Sequence, residues 1–294
     1  MNRKGILWIL LTALIFSTME IASKAVATSI NPFQLTFLHF LIGGVTLLLL
    51  NLRHRPALRK EDLAFFLLNG FLCVVLSMTL FQLALLFAKA STVAILISTN
   101  PIFTVPLAVW ILRERIDPKM PLYLLVALAG VGCILNPFQG GLEWRGALLA
   151  TVAAVTFSLF SVVSRTRVER YGPLLLNAYT FLAGAGLLLP ILLFFHLPVL
   201  SGTVAHAPVI LYLGIVVTGL GYLTYFLAME ETSTVTASAI FFIKPALAPL
   251  LAFLLLGEAV PWPTLAGILF ILLGSALMLQ SKGFRLLPKH PDPA

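Results

Sequence analysis

The apolar positions of this chain fall in long runs, separated by short breaks that are charged or rich in Pro and Gly. A helix crossing a hydrocarbon core of ~30 Å takes about 20 apolar residues, and ten runs of that kind can be drawn. They lie at 6–28, 33–52, 63–88, 91–112, 119–136, 146–165, 173–195, 208–229, 234–256 and 262–281. The pattern predicts an all-α integral membrane protein with ten transmembrane helices, and it leaves little room for a separate water-soluble domain. Composition excludes the soluble reading. The 294 residues are 60% hydrophobic and 10% charged, with a mean hydropathy of +1.04, whereas soluble domains are about 45–50% apolar and about 25% charged.

The net charge of +8 does not point to nucleic acid, because Lys and Arg sit in small groups between apolar runs and form no basic face. Fifteen of the nineteen fall in alternate segments: Arg3 and Lys4; Arg53, Arg55, Arg59 and Lys60; Arg113, Arg115 and Lys119; Arg165, Arg167 and Arg170; Lys282, Arg285 and Lys289. The opposite side holds only Lys89 and Arg145, and Lys24 and Lys244 lie inside runs. The positive-inside rule then places both termini in the cytoplasm, with the chain in the cell inner membrane. The basic, Pro-rich stretch 282–294 reads as a disordered cytosolic tail. Arg3-Lys4 and Ala25-Val26-Ala27 imitate a signal peptide, but Glu20 and Lys24 interrupt its apolar core, and the segment has a counterpart later in the chain. Cys73 and Cys133 both lie in apolar runs and read as small hydrophobes, with no disulfide expected between them.

That counterpart belongs to an internal repeat. At an offset of 141, Gly5, Phe16, Ser17, Ser23, Pro32 and Gly43 fall on Gly146, Phe157, Ser158, Ser164, Pro173 and Gly184. At 144, Gly70, Ala84, Pro101, Glu114 and Gly130 fall on Gly214, Ala228, Pro245, Glu258 and Gly274, with Phe81 opposite Tyr225. The repeats divide the chain at 1–140 and 141–281. Five spans each is an odd number, so the two repeats are expected to be inverted. That plan is typical of secondary transporters with a site at the repeat interface near the midplane and gating by rocking of the halves.

Asn100-Pro101 through Glu114, and Lys244-Pro245 through Gly257-Glu258, together with the openings Phe16-Ser17 to Lys24 and Pro32-Phe33-Gln34-Leu35, resemble the EamA-type branch of the drug/metabolite transporter superfamily. The resemblance covers nearly the whole chain, from Gly5 to about Gln280. It departs at His39, where that family often has arginine, and at Phe16-Ser17, where it often has Trp-Gly. It implies ten-helix carriers of two five-helix units that move metabolites, often outward and including amino acids. An intramembrane glutamate in the first helix is also how the small multidrug resistance relatives look, there without this lysine pattern.

Charged residues inside a span cost about 2.5–3.5 kcal/mol each on insertion scales, so they need a partner or a cavity. Apart from Lys119 and Arg165 at span ends, the fully charged residues within the spans are Glu20, Lys24 and Lys244. Lys244 falls about 15 Å deep at 1.5 Å per residue, near the midplane, with Pro245 and Pro249 kinking the helix beside it. It reads as an anchor for a carboxylate or phosphate on the cargo, the alternative being a structural ion pair with Glu20. Asn100, its repeat mate before the kink at Pro101, reads with Ser98 and Thr99 as hydrogen-bonding groups for cargo or for freed kink carbonyls. Glu20 falls about 22 Å from the inner end. The bland reading pairs it with Lys24 four residues on; the sharper one makes it a proton carrier or a site for an ammonium. Were both sharp readings to hold, a cation and an anion roughly 7 Å apart in depth would suit a zwitterion.

His39 could bind cargo or protons, and Tyr222, Tyr225, Phe241 and Phe242 could form an aromatic wall, although packing is the commoner role for each. Ser158, Ser161 and Ser164 recur every three residues and read as a close-packing stripe. Glu114 and Glu258 read as caps or gate-like groups at opposite helix ends. No spacing matches a metal site, a nucleotide loop or a nucleophile elbow, so no catalytic residue, metal or cofactor is expected. The expected partners are a small-molecule substrate and the lipid bilayer, and no nucleic acid. Gly-x-x-x-Gly is absent from every span, and oligomeric state is left open. The reading is thus a secondary transporter of small organic metabolites, exporting amino acids or related carboxylates by alternating access. Its rivals are a proton-coupled exporter of hydrophobic cations using Glu20, and a membrane enzyme or sensor. The latter is disfavoured because the intramembrane polar set holds no acid/base or nucleophile pair.

Overall fold

A computed structural model describes residues 3–50, 60–114, 116–135, 144–241, 243–244, 247, 253–254 and 262–280. Phe242, Pro245, Pro249, Glu258 and the tail 282–294 lie outside the described residues. Among those described, every regular element is a helix. The first crossing is α1 (Arg3–Ser17) and α2 (Met19–Val26), offset at Thr18, whose hydroxyl bonds the Ile15 carbonyl and the Tyr212 hydroxyl. The chain returns in α3 (Pro32–Leu50). It crosses again in α4 (Lys60–Gly70), a π-helical stretch (Phe71–Met78) and α5 (Thr79–Phe87). Next come α6 (Ala90–Ile97), α7 (Asn100–Leu112) and α8 (Met120–Leu135).

α9 runs from Trp144 to Phe194, 51 residues, or about 76 Å at 1.5 Å per residue. That is more than twice a hydrocarbon core, and the helix is broken where the geometry requires it. Gly172 has φ 70° and ψ 159°, a backbone region open to glycine and closed to residues with a Cβ, and Pro173 follows as a helix start. The second arm leads to α10 (Ala207–Leu211), a second π-helical stretch (Tyr212–Gly221) and α11 (Tyr222–Glu231). α12 (Thr234–Ser238) opens the next crossing, and α13 (Trp262–Gln280) closes the described chain.

Among the described residues six runs are long and apolar enough to cross a membrane, the Trp144–Phe194 run among them; Met120–Gly130 and Leu265–Gly274 are shorter apolar helices. The run expected at 234–256 is described only in part. Leu7, Leu10, Leu14, Trp110, Leu125, Phe194 and Leu269 are exposed on the outside, too much apolar surface for water and suited to a bilayer. Inside lie Phe40, Phe81, Phe160, Phe181, Tyr222 and Tyr225, all fully enclosed.

Two close crossings tie residues of the first half to the second. A Cβ on Gly70 would stand 2.5 Å from the Gly184 nitrogen, and one on Gly43 would stand 2.9 Å from the Gly214 carbonyl oxygen. Side chains of any size would push these helices apart. Asn69, beside Gly70, donates to Ser164 (2.8 Å) and Thr180 (3.1 Å), so α4 is pinned to both arms of α9. α8 and α13 pack chiefly on each other.

Candidate functional site

Two charged side chains meet in the middle of the bundle. Glu20, in the first turn of α2, is 0% exposed and Lys244 is 2% exposed. The Lys244 ammonium donates to Glu20 Oε1 in a buried ion pair. Glu20 Oε2 has no hydrogen-bond partner among the described residues. Of the partners left open for Glu20 in the sequence, the structure shows Lys244, and the i,i+4 reading with Lys24 gives way. Lys24 instead directs its ammonium to the backbone carbonyls of Leu85 and Ala88, the latter at 2.9 Å, at the end of α5. The separation of roughly 7 Å in depth that rise per residue gives the two backbones is bridged by their side chains. Rise per residue fixes depth only along a straight axis, whereas the first crossing is offset at Thr18 and the flexible four-carbon lysine stem reaches the rest of the way.

A cavity of about 20 Å³ adjoins this pair, lined by Phe16, Met19, Met78, Phe81, Ile97, Phe157, Tyr222, Phe241 and Lys244. That is room for about one water, so an organic solute enters only if the walls part. Lys244 is the one charged group among these lining residues. The walls come from both halves in matched positions: Phe16 and Phe157 are 141 residues apart, and Met78 and Tyr222, like Ile97 and Phe241, are 144 apart. The rings interlock edge to face, Phe16 with Tyr222 at 5.2 Å and Phe157 with Phe241 at 5.3 Å between centroids. Tyr225 packs beside this wall, 5.8 Å from Phe241, and is not among the residues lining the cavity.

The other expected site residues lie off the cavity. α6 ends at Ile97 and α7 begins at Asn100, with Pro101 in the first turn, where its missing N–H costs nothing. The Ser98 and Thr99 hydroxyls between them donate to the carbonyls of Ala94 and Leu96. Asn100 donates to Ser158 Oγ at 2.7 Å and to the Ala154 carbonyl at 3.2 Å, while its own side-chain oxygen accepts from Thr104 at 2.8 Å. Asn100 thus joins α7 to α9 from inside the fold. Ser158 and Ser164, read as a packing stripe, act as hydrogen-bond partners of Asn100 and Asn69. His39 Nδ1 shares a 2.7 Å hydrogen bond with the Thr218 hydroxyl, and its ring packs against Phe40, centroids 4.6 Å apart and planes tilted by 41°.

Acidic groups close the end of the bundle that carries Arg3. Glu114, beyond α7, accepts the Thr234 backbone N–H (3.2 Å) at the start of α12, and Ser233 caps the same helix by accepting from Thr236. Asp62, only 1% exposed, pairs with Arg170 at 3.0 Å and Arg167 at 3.9 Å. Sequence reading passed over Asp62 because positive-inside counting weighs only Lys and Arg. Its place beside Phe65 and Phe66 at the edge of an apolar run was the available signal. Among the described residues no group of three or more His, Cys, Asp or Glu is placed to hold a metal ion.

Burial raises the Glu114 carboxyl above its ordinary 4.5, against the opposing pull of hydrogen bonds from Thr234 and Val235 and of the Arg165 charge. The folded protein therefore holds this proton more tightly than the unfolded chain. Stability from this group is full below pH 4.5 and is lost as pH rises through the folded value. Glu114→Gln keeps an acceptor for Thr234 and does not titrate. Its melting temperature relative to wild type should climb as pH is raised from 4.5 and then level off. Thermal melts in detergent at stepped pH check this, and a gap that narrows with rising pH would refute it.

A model of the EamA-like transporter family matches residues 3–136 and 144–280. The chain is 40% identical over 292 residues to an uncharacterized transporter of Clostridium kluyveri, covering 95% of this chain and 94% of that one. It is 28% identical, over 67% of each chain, to a probable terminal-alkyne amino-acid exporter of Streptantibioticus cattleyicolor. It is also 26% identical, over 64% of this chain and 63% of the relative, to an S-adenosylmethionine uptake transporter of Rickettsia prowazekii. A crystal structure of a chain 22% identical shares the fold, with a TM-score of 0.73 over 94% of this chain and 96% of that one.

Proposed function

We propose, for a chain that belongs to the EamA-like transporter family, that it is a secondary carrier exporting amino acids or related carboxylates, with Lys244 as the anchor. The observation that carries this reading is the buried Glu20–Lys244 pair, whose lysine lines an apolar cavity. Charge that deep in a membrane protein is expensive and marks a pathway. The cargoes named for two relatives, a terminal-alkyne amino acid and S-adenosylmethionine, both carry an α-amino-acid group.

The two halves are inverted repeats in the cytoplasmic membrane, both termini inside, and the cavity sits where they meet. Transport follows alternating access: the wall parts toward one side, cargo binds, and the halves rock to open the other. In the closed state Glu114 holds the start of α12 at one end and Lys24 holds the end of α5 at the other. Opening either side releases one of these contacts. The rival cargo, a hydrophobic cation, would meet no carboxylate among the residues lining the cavity.

The test is uptake by proteoliposomes, with labelled amino acids, organic anions and hydrophobic cations, for wild type, Lys244→Ala and Glu20→Gln. Saturable amino-acid or carboxylate uptake that falls to background in Lys244→Ala is the expected result. Cation uptake that survives Lys244→Ala and vanishes in Glu20→Gln would overturn the assignment.

A further inference from the structure

We infer that the cargo is a zwitterion that takes the place of the protein's own ion pair, its carboxylate on Lys244, its ammonium on Glu20 and an uncharged apolar side chain against the rings. The inference rests on Lys244 as the cargo anchor and goes beyond it by assigning Glu20 a matching role and by excluding single-ended cargo. Among the described residues, Glu20 and Lys244 have each other as hydrogen-bond and ion-pair partners. A cargo carboxylate that captured Lys244 alone would strip Glu20 of that partner. A cargo amine that captured Glu20 alone would strand the lysine. Removing one member of a buried pair is strongly penalised, whereas a zwitterion leaves both charges matched.

Glu20 Oε2 adds a second observation. It is buried and without a donor among the described residues, although a carboxylate has capacity for several. A small untethered ammonium, with three donors, can address both oxygens where the lysine reaches only one. The wall beside Lys244, with Phe16, Met19, Met78, Phe81, Tyr222 and Phe241, offers no further charge among the described residues, and Glu20 joins it through Lys244. A third charged group on the cargo would be buried unpaired there, so lysine and glutamate are excluded as cargo and leucine-like or phenylalanine-like molecules are admitted.

The experiment uses the full chain in proteoliposomes and three probes of one skeleton: L-leucine, 4-methylpentanoate, which lacks the amino group, and 3-methylbutylamine, which lacks the carboxylate. Leucine is expected to be taken up at least about 100-fold more efficiently than either single-ended probe. Glu20→Gln, which no longer leaves a charge stranded, should lose leucine uptake and narrow or reverse the gap to 4-methylpentanoate. Uptake of 4-methylpentanoate equal to leucine in wild type, both lost in Lys244→Ala, would overturn this inference and keep Lys244 as the anchor. Leucine uptake untouched by Lys244→Ala would instead overturn the anchor itself. If Glu20→Gln fails to fold, the exchanged pair Glu20→Lys with Lys244→Glu retains both charges and should retain the preference for leucine. A preference of that variant for either single-ended probe would also overturn the inference.

Discussion

Glu20→Leu is expected to destabilise the protein by about 3–5 kcal/mol, whereas Glu20→Leu combined with Lys244→Met should come within about 1 kcal/mol of wild type or exceed it. The single change leaves the Lys244 ammonium buried at 2% exposure with its hydrogen-bond partner gone. The double change removes both charges and lets apolar groups fill the space next to Met19, Met78 and Phe81, where close packing replaces an expensive pair. Unfolding free energies in mixed micelles measure both variants, and transport should be absent from both. Equal losses in the single and double variants would mean that the two charges do not act as a unit. Recovery of stability without recovery of transport would show that the pair is kept for what it binds.

The second large effect concerns glycines that look alike in sequence. Gly184 and Gly186 lie two residues apart in the same arm of α9, yet a Cβ on Gly184 would meet Val74 at 2.4 Å and the Gly70 carbonyl at 2.7 Å, while one on Gly186 meets nothing within 4 Å. Gly184→Ala and Gly70→Ala should each cost about 1–3 kcal/mol, since backbone cannot rotate out of the way and the helices must separate. Gly186→Ala should be neutral or gain up to about 1 kcal/mol from helix propensity. The same unfolding measurement ranks the three, and indistinguishable values for Gly184→Ala and Gly186→Ala would refute the crossing.

The helical membrane character was legible because long apolar runs have few other uses, and the gap drawn between the runs 146–165 and 173–195 contains the Gly172 break that divides α9. Charge in the apolar runs likewise drew attention to Glu20 and Lys244. Their pairing was legible only as one alternative beside Lys24 and cargo, since the two are 224 residues apart in sequence and no local pattern ranks partners that distant. Spacing also could not separate Tyr222, which faces the cavity, from Tyr225, three residues on, which packs beside it. Nor could it foresee that Asn100 would be held within the fold by Ser158, Ala154 and Thr104. Type and position of a polar group were readable; its partner was decided by helix crossings that a single sequence does not encode locally.

The crossings at Gly43 with Gly214 and Gly70 with Gly184 also set a timetable for biogenesis. Each glycine of the first half is synthesised 171 or 114 residues before the partner that fills the space beside it. The first half is therefore synthesised with two of its helix faces still lacking the partners that they meet in the folded protein.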